Sequence, residues 1–220
     1  MKMAGKKNKK IENEGENKEN KKVNVKENDQ FNVIITGVGG QGVMTLGSLL
    51  ALAGHEEGKN VMTSELHGLA KRFGHTEFHF RMGNVTTTIV PNKSADLIIA
   101  LEPLESLPLA KYCDKEKTIA YIDTIQIKPT RMDIEGTNYP DIEEIKNRLK
   151  SHCKEVIVVN ASSEAKRITG SSTYSNIYIL GKIIKNKHIG IKQSTIIKIL
   201  EEQFGKDNIN ITVLKEAMKE

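Results

Sequence analysis

Residues 31–42 read FNVIITGVGGQG, and VMTLGSLLALAGHEEG follows without a break. The β-branched run Val33, Ile34, Ile35 breaks into glycines at 37, 39, 40 and 42, and a helix-period apolar pattern starts at Val43. A strand, a tight turn and a helix in immediate succession leave few architectures open. In the G-x-G-x-x-G reading, Gly37 makes the turn, Gly39 lets the backbone approach a ligand, and Gly42 lets the helix pack on the strand. The free amides and the dipole at the helix N-terminus favour an anion above the turn. A phosphate-bearing ligand is therefore expected at Gly37, Gly39, Gly40, Gln41 and Gly42. The predicted fold class is α/β, a Rossmann-like, open and mostly parallel sheet with flanking helices, a β-hairpin insertion and a helical C-terminal part.

A chain of 220 residues can bury one core of ordinary size. Its first 29 residues carry nine Lys against six acidic groups with almost nothing apolar, so burial there cannot offset the entropy of ordering. They are expected to form a disordered charged tail, with a single domain over 30–220. The tail holds +3 of the net +5, which leaves the rest close to neutral. With no Trp and with five Phe and five Tyr scattered, no basic stripe with interleaved aromatics forms, and nucleic-acid binding is not expected. No apolar run reaches membrane-spanning length and no signal-peptide core is visible, so no membrane contact and a cytoplasmic location are expected. Cys113 and Cys153 are the two cysteines. They cannot supply a disulfide framework, a zinc site or an iron–sulfur site by themselves.

Further along, Asn60–Thr63 reads as the second strand of a βαβ unit. The segment 64–74 is a second candidate for ligand contact, with Ser64, Glu65, His67, Lys71 and Arg72 as its polar groups; Glu65 stands near the position where a dinucleotide site wants an acid. From His75 the residues alternate, with His75, Glu77, His79 and Arg81 on one face and Thr76, Phe78, Phe80 and Met82 on the other. Gly83-Asn84 is expected to turn this strand into a partner strand over Val85–Val90, with Phe78 and Phe80 forming an exposed apolar face for a partner. Residues i and i+4 on a strand stand roughly 13 Å apart, too far for His75 and His79 to share one ion. No metal is expected.

ADLIIAL (95–101) has the continuous apolar character of a buried parallel strand. It ends at Glu102, on the carboxyl edge where open sheets bind ligands. A helix over Leu104–Tyr112, strands over Thr118–Asp123 and Glu155–Val159, and a short edge strand over Ile125–Lys128 are predicted. Helices are predicted from Asp141 to about His152, with Glu144 as capping-box partner, and over Ala161–Ile168, Ser175–Lys187, Lys192–Phe204 (Ser194 as N-cap) and Asn210–Lys219. No P-loop, G-x-S-x-G or H-E-x-x-H occurs. A ligand-binding edge with few groups able to do covalent chemistry suggests one part of an enzyme, with no catalytic residue identified in this chain.

The blocks GVGGQGVMTLGSLLA (37–51), SELHGLAKRFG (64–74), HFRMG (79–83), ADLIIALEPLESL (95–107) and YSNIYILG (174–181) together resemble the gamma-type domain of the 2-oxoacid:ferredoxin oxidoreductases, in particular the small beta subunits of the indolepyruvate type. Ser64, Glu65, His67, Gly68, Ala70, Arg72 and Gly74 agree with the family's loop, whereas Lys71 and Phe73 depart from it. The resemblance implies oxidative decarboxylation of an arylpyruvate with coenzyme A to an aryl-acetyl-CoA, carbon dioxide and reduced ferredoxin. It further implies a large alpha subunit carrying thiamine diphosphate and 4Fe–4S clusters, with ferredoxin met through the complex. Coenzyme A would then take the glycine turn, and Ser64, Glu65, His67, Arg72 and Glu102 would line the substrate or partner side. Two other readings stay open at this point: an adenylating, ubiquitin-activating-like enzyme, and a stand-alone nucleotide-binding or regulatory module.

Overall fold

A computed structural model describes residues 30–68 and 74–219. The expected tail, and Lys71 and Arg72 of the 64–74 loop, lie outside the described residues. Six strands, β1 (Gln30–Val38), β2 (Val61–His67), β3 (His75–Gly83), β4 (Leu97–Ala100), β5 (Ile119–Asp123) and β6 (Glu155–Val159), form one sheet in the order β2-β3-β1-β4-β5-β6. The β1, β4, β5 and β6 neighbours are parallel, and β3 is antiparallel to both β1 and β2. The helices are α1 (Val43–Glu56), α2 (Thr130–Ile134), α3 (Ile142–Lys150), α4 (Ala161–Thr169), α5 (Ser175–Lys185), α6 (Gln193–Phe204) and α7 (Ile209–Lys219). A 3₁₀ helix runs over Leu104–Tyr112.

The alternation of each strand decides which layer covers it. Val33 and Ile35, Phe78 and Phe80, Leu97 and Ile99 join α1, α5, α6 and α7 in the main core. Ile34, Ile98 and Ala120 point the other way, onto Leu109 and Tyr112 of the 3₁₀ helix, while Ala100 and Ile122 meet Ile145 and Leu149 of α3. Cys113 and Cys153, distant in sequence, meet thiol to thiol in this second layer, buried and unbridged. Phe78 and Phe80 are not an exposed face: both are buried beneath α1. Gly47 is what permits this, since a Cβ there would stand 2.4 Å from the Phe78 ring.

Several expectations change. β2 runs in the same direction as β1, but β3 lies between them, so the hairpin is β2–β3 and not β3 with residues 85–90. The reason is side-chain competition for the backbone of 85–90. Val90 N–H donates to His79 Nδ1 (3.1 Å), Arg81 donates to the carbonyls of Thr87 (3.0 Å) and Ile89 (3.4 Å), and Asn60 donates to that of Val85 (2.9 Å). Leu104–Tyr112 is 3₁₀ because Pro108 has no N–H for an α-helical bond. Residues 125–128 form no strand; Ile127 N–H turns instead to the Glu102 carboxylate (3.1 Å). Asp141 caps α3 as expected, accepting from Glu143 N–H (2.8 Å), whereas Glu144 pairs with Arg148 (2.5 Å) instead of closing a capping box. α6 begins after Lys192 with no side-chain cap, so Ser194 is inside the helix.

The polar face of β3 is nearly as buried as its apolar one. Glu77 is 6%, His79 0% and Arg81 5% exposed. Glu77 stands between two histidines, its Oε1 accepting from His79 Nε2 (2.5 Å) and its Oε2 from His75 Nε2 (3.2 Å). Those bonds outweigh burial and bring the Glu77 carboxyl down to about 2, while hydrogen bonds to Glu105 and Glu77 push His75 up to about 9.

Two outcomes follow from this packing. Gly47→Ala gains helix propensity but presses a methyl into the Phe78 ring, and we expect a net loss of about 2 kcal/mol in urea unfolding; an unchanged midpoint contradicts the packing. Glu77 contributes stability above about pH 4.5 that is lost as pH falls towards about 2, and His75 contributes stability below about 6.5 that is lost as pH rises through about 9. The urea midpoint should therefore decline on both sides of pH 5–6.5, and Glu77→Gln should flatten both declines while costing roughly 2 kcal/mol at neutral pH.

Candidate functional site

The connection from β1 leaves over one face through α1, whereas β4 continues on the other side of β1 into the 3₁₀ helix. The carboxyl ends of β1 and β4 therefore flank a topological switch point, the crevice where open α/β sheets take ligands. The glycine turn occupies it.

Within the turn, Gly37 has no room for a side chain: a Cβ would come within 2.7 Å of Gln41 Oε1 and 3.2 Å of Leu101 Cβ. Gln41 folds back as a brace. Its Oε1 accepts from Val38 N–H (2.8 Å) and its Nε2 donates to the Leu101 carbonyl (2.7 Å), so its amide is committed to holding β1 against β4. Gly39 N–H donates to the Gly74 carbonyl (3.0 Å), and Gln41 N–H to that of Val38 (3.2 Å). Gly40 and Gly42 adopt φ of +101° and +81°, and Gly40 faces open space. Among the described residues, the amides of Gly40, Gly42, Val43, Met44 and Thr45 find no hydrogen-bond acceptor. Five backbone donors thus stand open at the positive end of α1.

Asn176, at the start of α5, covers the far side of the turn. Its Nδ2 donates to the Gly42 carbonyl (3.2 Å), and any Cβ on Gly42 would lie 2.4 Å from that nitrogen. The sequence had pointed to YSNIYILG only as a resemblance block; the Asn in it closes the turn.

Glu102 stands at the end of β4 beside the turn but is only 1% exposed. It accepts from Tyr139 Oη (2.5 Å), Glu105 N–H (3.0 Å) and Ile127 N–H (3.1 Å), and burial raises its carboxyl above the ordinary range. Tyr139 also takes the Leu104 N–H (3.1 Å), so Glu102 and Tyr139 together anchor the 3₁₀ helix to the 127–139 segment. Tyr139 escaped notice because it stands 37 residues from its partner. Asp123, at the end of β5, is likewise buried and serves α4, accepting from Ser162 Oγ (2.5 Å) and N–H (3.1 Å).

Ser64, Glu65 and His67 lie on the edge strand β2, two strands from the turn, which is about 10 Å at the usual strand spacing. Ser64 shares the face of His79, and Glu65 and His67 share the opposite one, their side-chain ends 3.6 Å apart and both half exposed. Gly68 and Gly74 close the base of the following loop, Gly68 N–H donating to the His75 carbonyl (2.8 Å). The loop base therefore reaches the glycine turn through Gly74, while β2 itself stands off. Arg72 lies outside the described residues.

Among the described residues, no group of three His, Cys, Asp or Glu side chains is arranged to hold a metal ion, and no helix is long and apolar enough to cross a membrane. A cleft of about 880 Å³ lies at the other end of α1, between Glu56, Glu57 and Lys198. Both of its carboxylates are already paired, Glu56 with Lys198 and Glu57 with Lys59 (3.0 Å). Among the described residues, the site is thus a turn of open amides with no nucleophile or free general base beside it.

Residues 32–220 match the family described as pyruvate ferredoxin/flavodoxin oxidoreductase. The chain is 38% identical over 154 residues to indolepyruvate oxidoreductase subunit IorB of Archaeoglobus fulgidus, covering 70% of this chain and 76% of that one. In fold it is similar to pyruvate oxidoreductase subunit PORC of Thermotoga maritima, with a TM-score of 0.64 at 18% identity over 87% of this chain and 97% of that chain. It is similar also to 2-oxoglutarate:ferredoxin oxidoreductase of Magnetococcus marinus, solved with 2-oxoglutarate, coenzyme A and succinyl-CoA bound. There the TM-score is 0.63 at 18% identity, over 88% of this chain and 30% of that chain. A match along the whole described sheet and its helices, together with a relative at 38% identity, establishes that the chain belongs to the pyruvate ferredoxin/flavodoxin oxidoreductase family.

Proposed function

We propose that this chain is the small subunit of a cytoplasmic, indolepyruvate-type 2-oxoacid:ferredoxin oxidoreductase. The complex converts an arylpyruvate and coenzyme A to an aryl-acetyl-CoA and carbon dioxide, and the two electrons released go to ferredoxin. The observation that carries this reading is the likeness to an indolepyruvate oxidoreductase subunit over most of both chains. The chemistry of the site supports it: five open amides suit a phosphate-bearing cosubstrate, and among the described residues no group beside them is suited to breaking a carbon–carbon bond. A large alpha subunit would hold thiamine diphosphate, which supplies decarboxylation chemistry when bound, and 4Fe–4S clusters, which carry the electrons. The domain over 30–220, with a charged tail ahead of it, belongs to the same proposal. Neither an adenylating enzyme nor a stand-alone module is favoured by membership of this family.

In this reading this chain's own residues bind and orient. The amides of Gly40 and Gly42 and of the first turn of α1 hold the coenzyme A diphosphate, with Gln41 and Asn176 fixing the turn's shape from either side. The β2 edge that carries Ser64, Glu65 and His67, together with Arg72 of the loop after it, belongs to the partner side in this reading, with Arg72 a contact for a carboxylate or phosphate. Glu102 acts on that side through the anchor it forms with Tyr139.

Anaerobic purification by a tag on this chain should recover a large, brown, iron- and thiamine-containing subunit. That complex should reduce viologen only when an arylpyruvate and coenzyme A are both present. A colourless lone chain, or turnover independent of coenzyme A, would contradict the proposal. Gly40→Ala adds a methyl to the open space over the turn at some cost in backbone strain. In the complex it should raise the KM for coenzyme A about tenfold, a loss of roughly 1.4 kcal/mol, and leave the KM for the 2-oxoacid unchanged.

A further inference from the structure

His75 opens β3 directly across from Val38, which stands between Gly37 and Gly39 of the turn. Its Nδ1 donates to Glu105 on the 3₁₀ helix and its Nε2 to Glu77 at 3.2 Å. Carboxylate oxygens only accept, so both ring nitrogens carry protons and the ring is a cation. His79 is different: its Nδ1 accepts the Val90 N–H (3.1 Å), leaving only Nε2 to donate to Glu77, and this ring is neutral. Glu77 and Glu105 therefore have one cation between them, and the buried Glu102 is held by the Glu105 amide next to them. Among the described residues, without the His75 charge acidic groups alone would stand at the flank of a turn that offers amides to an anion. The backbone adds a second link, since the residue before His75 gives its carbonyl to Gly39 N–H (3.0 Å).

We propose that His75 is a positioning residue for the phosphate-bearing cosubstrate: its imidazolium cancels the carboxylates of Glu77 and Glu105 beside the glycine turn and fixes the Gly74 carbonyl on Gly39. This rests on the reading that coenzyme A binds at the turn. Among the described residues, the groups that face the ring are Glu77, with His79 behind it, from its own strand, and Glu105 from the 3₁₀ helix, with Glu102 behind that. The adjoining residues of β1 and β2 on this face, Thr36, Val38 and Leu66, do not titrate. The carboxylate bonds keep the ring charged up to about pH 9, so loss of the proton above that pH leaves the carboxylates uncompensated and weakens anion binding.

The test is inhibition of the assembled complex by desulfo-coenzyme A, which has no thiol to titrate, between pH 7 and 10. In the wild-type complex the inhibition constant should rise about tenfold as pH passes 9. His75→Gln should show the weak binding at every pH, with the KM for the 2-oxoacid unchanged. His75→Lys, which keeps a cation, should bind like wild type at pH 7–9. A merely structural role would leave the Lys variant as impaired as the Gln variant, and equal binding by His75→Gln and wild type would overturn the proposal outright. If His75→Gln does not assemble, Glu105→Gln decides: the transition should move to lower pH, and an unmoved transition refutes the proposal. A wild-type complex that neither needs coenzyme A nor binds its desulfo analogue would instead remove the parent reading.

Discussion

The carboxyl edge of this protein depends on one antiparallel strand buried on both faces. β3 separates β1 from β2, so the strands that would flank each other in a simple βαβ unit lie on either side of it. Its apolar face, Phe78 and Phe80, is sealed beneath α1, and its polar face has to be satisfied by internal partners. The run His75, Glu77, His79, Arg81 achieves this with Glu77 bonded between the two histidines and with the backbone of 85–90 as acceptor and donor. Arg81 is satisfied by neutral groups alone, bonding Asn32 Oδ1 (2.8 Å), Gln30 Oε1 (3.2 Å), Thr87 and Ile89. Because the end of β3 carries Gly74 onto Gly39, the same strand that fixes the core also fixes the turn.

That arrangement suits a subunit that binds more than it reacts. Preformed amides at a helix start need little reorganisation when an anion arrives, which is where such donors have their greatest effect. The side chains nearest to them are held elsewhere. Gln41 spans β1 and β4, Asn176 ties α5 to the turn, and Glu102 secures the 3₁₀ helix. A rigid rim of this kind suits the orienting of a cosubstrate, and in the proposed reading the bond-breaking groups belong to a partner.

Much of this was legible in the sequence. The strand–turn–helix start, the buried run at 95–101 and every long helix of the C-terminal part follow from local periodicity and glycine placement, and the family follows from five ordered blocks. The missed features are those decided by contacts far apart in the chain. Residues 85–90 have the composition of a strand, yet His79, Arg81 and Asn60 take their backbone groups. Phe78 and Phe80 read as an exposed face because the fit of Gly47 over Phe78 cannot be seen in a local window. Tyr139, the partner of Glu102, and Glu105, the partner of His75, are 37 and 30 residues away from them. Periodicity assigns His75, Glu77 and His79 to one face but cannot say that the face is closed, which is what turns three polar residues into a charged relay.

The central claim is that the crevice between β1 and β4, lined by the open amides of the glycine turn, is where this subunit holds its cosubstrate. The most direct measurement is a density map of the assembled complex with coenzyme A. The account predicts the diphosphate within hydrogen-bond distance of the Gly40, Gly42 and Val43 amides, with Gln41 and Asn176 unmoved. Coenzyme A bound wholly elsewhere, with the turn unchanged and its amides still open, would contradict it.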